Sequence, residues 1–169
     1  GSDMRLGAIA FLALAPPVYM LQLVLVHWFQ FPSKHPIIEL IQQRPTPGLI
    51  AVCAFSAVVV APVVEEYLFR GLLQGWLERL ADGRDDALEI LLGGPPGPVS
   101  ATHRTGDLPA AYWPVAASAL AFAVLHFEHG PDWVPLFLLA LGLGYLYRQT
   151  HRLLPAITVH FLLNFCTLL

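Results

Sequence analysis

The amino-acid sequence predicts an all-α fold, a polytopic bundle of transmembrane helices with about five spans in this chain. Three observations predict it. Of the 169 residues, 56% are hydrophobic. Only 12% are charged, where a soluble domain carries about 25%. Apolar runs of roughly the 17 to 25 residues that cross a bilayer recur between charges and breakers. A mean hydropathy of +0.62 agrees. The same composition excludes disorder for want of charge, a collagen-like fibre for want of a glycine period, and a disulfide scaffold because two cysteines are too few. A net charge of −3 and a pI near 6.1 offer no basic field, which excludes nucleic acid as a partner.

The first span runs from about Leu6 to Phe31 and carries Pro16 and Pro17, which a membrane helix tolerates and which should kink it. The second begins near Gly48 and stays apolar to Val64. Glu65, Glu66 and Arg70 interrupt it, and the helical pattern resumes in Leu72, Leu73, Trp76, Leu77 and Leu80. The third is Ala110 to Phe127, the fourth Trp133 to Tyr147 and the fifth Leu153 to Leu169. The fourth is short for a span, so it reads as tilted or extended at either end. Arg79 to Pro109 holds eight of the 21 formally charged residues and the run Gly93-Gly94-Pro95-Pro96-Gly97-Pro98, which makes residues 79–109 an extramembrane loop. That loop reads as a connector rather than a gate.

Residues 1–4 read as an expression remnant, Gly1-Ser2, and an N-terminal tail, which leaves the chain to begin or end inside a longer gene product. Residues 5–169 form a single transmembrane helical domain, with its motif-bearing core at about 47–169. Cys53 and Cys166 sit in apolar segments and read as small buried residues.

Five spans place alternate loops on opposite sides of the membrane. One side then holds Arg5, Arg79, Arg84, Arg104, Arg148 and Arg152, and the other Lys34 and Arg44. The positive-inside rule therefore predicts a cytoplasmic N-terminus. Trp28, Trp76, Trp113 and Trp133 all fall at span ends, where amphipathic rings belong.

Within the spans lie Glu65, Glu66, Arg70, His126, His160 and Asn164. A charge at mid-helix costs about 2.5 to 3.5 kcal/mol on insertion scales, so three in six positions require partners or a function. Glu66 and Arg70 are four apart on one face and can pair, as a structural ion pair or as part of a site. Glu65 is rotated by about 100° and points elsewhere. A carboxylate in an apolar chamber suits a general base. Phe122 and His126 are four apart, as are His160 and Asn164, so each pair presents one stripe of its helix. Depth permits them to meet: Glu65 lies 13 residues from Glu78, and His126 lies 14 beyond Tyr112. At 1.5 Å per residue both are about 20 Å from the same face, with His160 and Asn164 about 10 to 17 Å deep.

The stretch Glu65-Glu66-Tyr67-Leu68-Phe69-Arg70-Gly71, with Phe122-x-x-x-His126 and His160-x-x-x-Asn164, resembles the three motifs of the CPBP family of intramembrane proteases. That family includes type II CAAX prenyl endopeptidases and bacterial proteins linked to bacteriocin immunity and abortive infection. The resemblance covers roughly Pro47 to Leu169. It implies that Glu65 is the catalytic base and His126 its partner in activating water, that Glu66, Arg70 and Phe122 orient the site, and that His160 and Asn164 donate to the oxyanion. The last assignment is chemically coherent, since imidazole N–H and amide NH₂ donate where a carboxylate cannot. It implies a bacterial or archaeal plasma membrane and a membrane-associated peptide or protein substrate, CAAX-type or otherwise. Members were long described as metalloproteases, and Glu65, His126 and His160 are the plausible ligands for zinc. A glutamate-activated water without metal is favoured, since no His-Glu-x-x-His helix is present.

Two other classes compete with the protease. Buried carboxylates and histidines also line the paths of proton-coupled transporters, although no internal repeat supports one here. A non-catalytic membrane scaffold of the same fold is the other. His27, His35, His103, His129 and His151 lie at span ends or in loops and read as solvated or interfacial.

Overall fold

A computed structural model describes residues 1–29, 46–81, 111–127 and 132–168. Five helices make up almost all of them: α1 (Ser2–Phe29), α2 (Pro47–Ala81), α3 (Trp113–Leu125), α4 (Trp133–Thr150) and α5 (Leu153–Leu168). Each coincides with an expected span, with shifted ends. Residues 1–4, set apart in the sequence as remnant and tail, continue α1 from Ser2, and Asp3 pairs with Arg152 Nη1 at 2.7 Å. Residues 79–81 belong to α2 rather than to the long loop, the rest of which lies outside the described residues, as do His35, His103 and His129. α4 runs three residues past Tyr147, to the point where His151 turns left-handed at φ 48° and donates its N–H to Tyr147 O.

Local chemistry accounts for the start and winding of α2. Thr46 caps it, its hydroxyl oxygen accepting from Leu49 N at 3.3 Å, and Pro47 occupies the first turn, where its missing N–H costs nothing. Two stretches, Ser56–Val60 and Tyr67–Gln74, are wound as π-helix around the α-helical Ala61–Glu66. The first ends two residues before Pro62, which cannot donate back to Val58 and whose ring would crowd that carbonyl in a normal turn.

Ser2–Trp28 and Pro47–Ala81 are long and apolar enough to cross a membrane. α3, α5 and α4, with 13, 16 and 18 residues, measure about 20, 24 and 27 Å, short of the roughly 30 Å hydrocarbon core. The surface is inverted relative to a soluble protein. Leu12, Leu23 and Leu125 are each about 70% exposed, whereas Glu66, Arg70, Gln74, Glu78, Arg148 and His160 are buried. Apolar outside and ionic inside is the arrangement that lipid selects. Cys166 follows the outside pattern and is exposed, contrary to the sequence expectation, while Cys53 is buried.

α1 packs against α4 and α5, α3 packs against α4 and the second half of α2, and α1 scarcely touches α2. Val18, Leu139, Leu143, Val159 and Leu163 form one core cluster, and Phe69, Ala119, Phe122 and Ala140 another. Close approach depends on glycine at Gly144, where a Cβ would lie 2.8 Å from Gln74 Oε1 and 2.9 Å from Val115 Cγ1.

Candidate active site

The polar groups on α2 recur every four residues: Glu66, Arg70, Gln74 and Glu78. All four are buried. Arg70 Nε lies 3.1 Å from Glu66 Oε2, and Arg70 Nη2 donates to Ala140 O at 3.2 Å. Gln74 Nε2 donates to Gly144 O at 2.8 Å and to Glu78 Oε1 at 2.9 Å. Of these, the sequence singled out Glu66 and Arg70 alone. Gln74 and Glu78 continue the same spacing, and that continuation was the available signal. His151, expected to be solvated or interfacial, is exposed, with Nδ1 3.8 Å from Glu78 Oε2.

Glu65 and Glu66 part ways as their rotation demands. The Glu66 side chain is fully buried, held between Arg70 and His160, whose Nδ1 lies 2.9 Å from Glu66 Oε1. The Glu65 side chain retains 27% exposure and faces a cavity, with Oε2 3.7 Å from His160 Nε2. One imidazole therefore faces both carboxylates.

Phe122 is completely buried in the midst of this network. The Arg70 guanidinium lies 5.1 Å over its ring, and His126 and His160 lie 4.6 and 6.0 Å from its centroid. Phe69 meets it edge-on at 5.1 Å. His126 stands one residue beyond the end of α3, where its backbone N–H returns to Ala123 O. Its Nδ1 lies 2.8 Å from Phe122 O, a bond it makes as donor, so a neutral ring carries its lone pair on Nε2. Asn164 Nδ2 donates to Ala57 O at 2.9 Å, joining α5 to the first π-helical stretch of α2.

Glu65, Phe122, His126, His160 and Asn164 all border one cavity of about 340 Å³. Glu66 and Arg70 lie behind its wall. The wall also includes Gln22, Asp132 and Thr167, none of which the sequence reading singled out, with Ala57, Ala61 and several aliphatic side chains between them. Glu65, His126 and His160, the residues that would hold zinc, all border this cavity. Among the described residues no three His, Cys, Asp or Glu side chains converge on a position that could hold a metal ion. His160 Nδ1 is held by Glu66 and His126 Nδ1 by Phe122 O, which leaves Nε2 as the free nitrogen of each ring.

The fold and the site define a helical membrane protein that gathers two carboxylates, two imidazoles and two carboxamides around one cavity. Residues 47–166 match the family described as type II CAAX prenyl endopeptidase Rce1-like. The chain belongs to that family of membrane proteases. Searches of the curated proteins and of the solved structures find no match. The family match begins at the first residue of α2, so α1 lies outside it.

Proposed function

We propose that the protein is an intramembrane endopeptidase that hydrolyses a peptide bond of a membrane-associated substrate through a glutamate-activated water. A prenylated CAAX-type peptide is the first substrate to try. The observation that carries the reading is the division of labour between adjacent carboxylates. Glu65 borders the chamber, while Glu66 is sealed behind it with Arg70 and His160. A buried, fully engaged carboxylate suits positioning, and one that meets the cavity suits proton transfer.

In this mechanism Glu65 takes a proton from a water that His126 Nε2 helps to hold. The resulting hydroxide attacks the scissile carbonyl carbon. The carbonyl electron pair moves to oxygen, where the second N–H of Asn164 donates to it, as does Nε2–H of His160, which in this step is the imidazolium with its other N–H held by Glu66. Collapse of the tetrahedral species breaks the C–N bond, and the leaving amine takes the proton from Glu65. Preorganised donors in a water-poor chamber stabilise that oxyanion far better than solvent would. Glu66 accepts from His160 Nδ1 and holds the ring's other nitrogen toward Glu65, and Arg70 balances the Glu66 charge.

No step here needs a metal. The protein would lie in a bacterial or archaeal plasma membrane with its N-terminus in the cytoplasm, as the arginine distribution supports. The test compares purified wild type with Glu65→Gln on prenylated and plain peptides, with metal content measured on the same samples. Cleavage by wild type that Glu65→Gln abolishes supports the mechanism, and cleavage that survives the substitution overturns it.

A further inference from the structure

We propose that Gln22 of α1 is a substrate-binding residue of the chamber, one that hydrogen-bonds the backbone of the peptide to be cleaved. The proposal rests on the protease reading above and deepens it. α1 lies outside the family match, yet it closes one side of the cavity with Val18 and, one turn further along, Gln22. Four residues of helix rise about 6 Å. Val18 is 3% exposed and belongs to the core with Leu139 and Leu163. Gln22 thus continues the inward stripe of α1, not its lipid face. Tyr19 secures that stripe, its hydroxyl donating to Leu163 O at 3.0 Å.

The wall's other polar side chains have partners in the protein. Asn164 bonds Ala57 O, Thr167 bonds Leu163 O, His126 bonds Phe122 O, and Glu65 meets His160. Asp132 has an interaction as well. The half-buried Gln22 amide makes no hydrogen bond to any described residue. The amide is open to the cavity rather than sealed in the core, and a membrane helix carries an unpaired amide there for little structural gain. A primary amide presents one carbonyl acceptor and one NH₂ donor, the complement of a peptide unit's N–H and C=O. It carries no charge, so it binds main chain without choosing among side chains. Because α1 scarcely touches α2, Gln22 and Glu65 border the same space from opposite helices, and a chain between them would meet both.

The test measures binding and turnover separately. Wild type, Gln22→Leu and Gln22→Asn, in detergent, are given a fluorescent prenylated CAAX-type peptide and a series in which one backbone amide at a time is replaced by an ester. Binding is also measured in the Glu65→Gln background, where turnover is slowed by about 10²- to 10⁴-fold. Loss of one neutral hydrogen bond should raise Kd and KM of Gln22→Leu about three- to tenfold, with kcat little changed. One ester peptide should bind wild type correspondingly more weakly and Gln22→Leu no more weakly than the parent. Gln22→Asn serves where Gln22→Leu fails to fold, and its shorter reach should weaken binding in the same direction. Cleavage with unchanged KM and no lost ester discrimination overturns the role of Gln22 and leaves the protease reading standing. Gln22-dependent binding without cleavage overturns the protease reading and supports the role. A peptide neither bound nor cleaved overturns both.

Discussion

Glu66 and His160, 94 positions apart in the chain, meet at 2.9 Å inside the bundle. The contact joins α2 to α5 and leaves the far nitrogen of the ring 3.7 Å from Glu65. In the proposed mechanism catalysis and folding therefore share a side chain, and substitutions at the site should separate into those that cost activity and those that cost the fold.

Glu65→Gln belongs to the first group. It replaces a partly exposed carboxylate with an amide of the same shape, so the thermal midpoint in detergent should stay within a few degrees of wild type. Peptide cleavage should fall by about 10²- to 10⁴-fold, the usual contribution of a positioned general base. Steady-state rates on a prenylated peptide check this.

Glu66→Ala belongs to the second. It strands the buried Arg70 guanidinium and removes the His160 acceptor, and breaking a buried ion pair from one side costs about 3 to 5 kcal/mol. Loss of folded protein by size-exclusion chromatography, or a collapse of the thermal midpoint, is the expected result. Glu66→Gln should be milder, since its carbonyl still accepts from His160.

Asn164→Ala should affect both. Its bond to Ala57 O is worth about 1 kcal/mol of stability. The lost oxyanion donor should lower kcat by about 10²- to 10³-fold with KM nearly unchanged. A rise in KM alone would reassign Asn164 to binding.

Gly144→Ala tests the packing away from the chamber. The added methyl would lie under 3 Å from Gln74 Oε1 and Val115 Cγ1, and Gln74 is tied to Gly144 O and Glu78. Overpacking of this kind costs about 1 to 3 kcal/mol, readable as a lowered thermal midpoint.

On the glutamate-activated mechanism a chelator should leave cleavage intact. Activity that disappears with 1,10-phenanthroline and returns with zinc would reverse the chemistry proposed here.

The helices were legible because lipid imposes a coarse rule, apolar runs broken by charge, and all five are apolar, with α1 and α2 long enough to cross. The gathering of Glu65, Phe122, His126, His160 and Asn164 was legible for the same reason: polar residues deep in apolar helices are few and must meet something. Gln22, Gln74 and Glu78 were not singled out, for different reasons. Gln22 is uncharged and stands alone in its helix, so nothing marks which way it faces. Gln74 and Glu78 lie near the end of α2, where polar residues pass for interfacial ones although their four-residue spacing carries on from Arg70. The lengths of α3, α4 and α5 depend on where neighbours cover a helix end, as His151 does for α4, and hydropathy is blind to that.

The matched spacing of the hydrogen bonds between α2 and α4 constrains how the protein can move. Arg70 and Gln74 are four residues apart, and so are the carbonyls that receive them, Ala140 and Gly144. Sliding by one or two residues would break both bonds at once with no water to replace them. The next position in phase is a whole notch of about 6 Å away. α2 and α4 therefore behave as a toothed pair, fixed or shifted by a full step. Small continuous adjustments to an incoming chain fall to α1, which meets α2 through no such teeth.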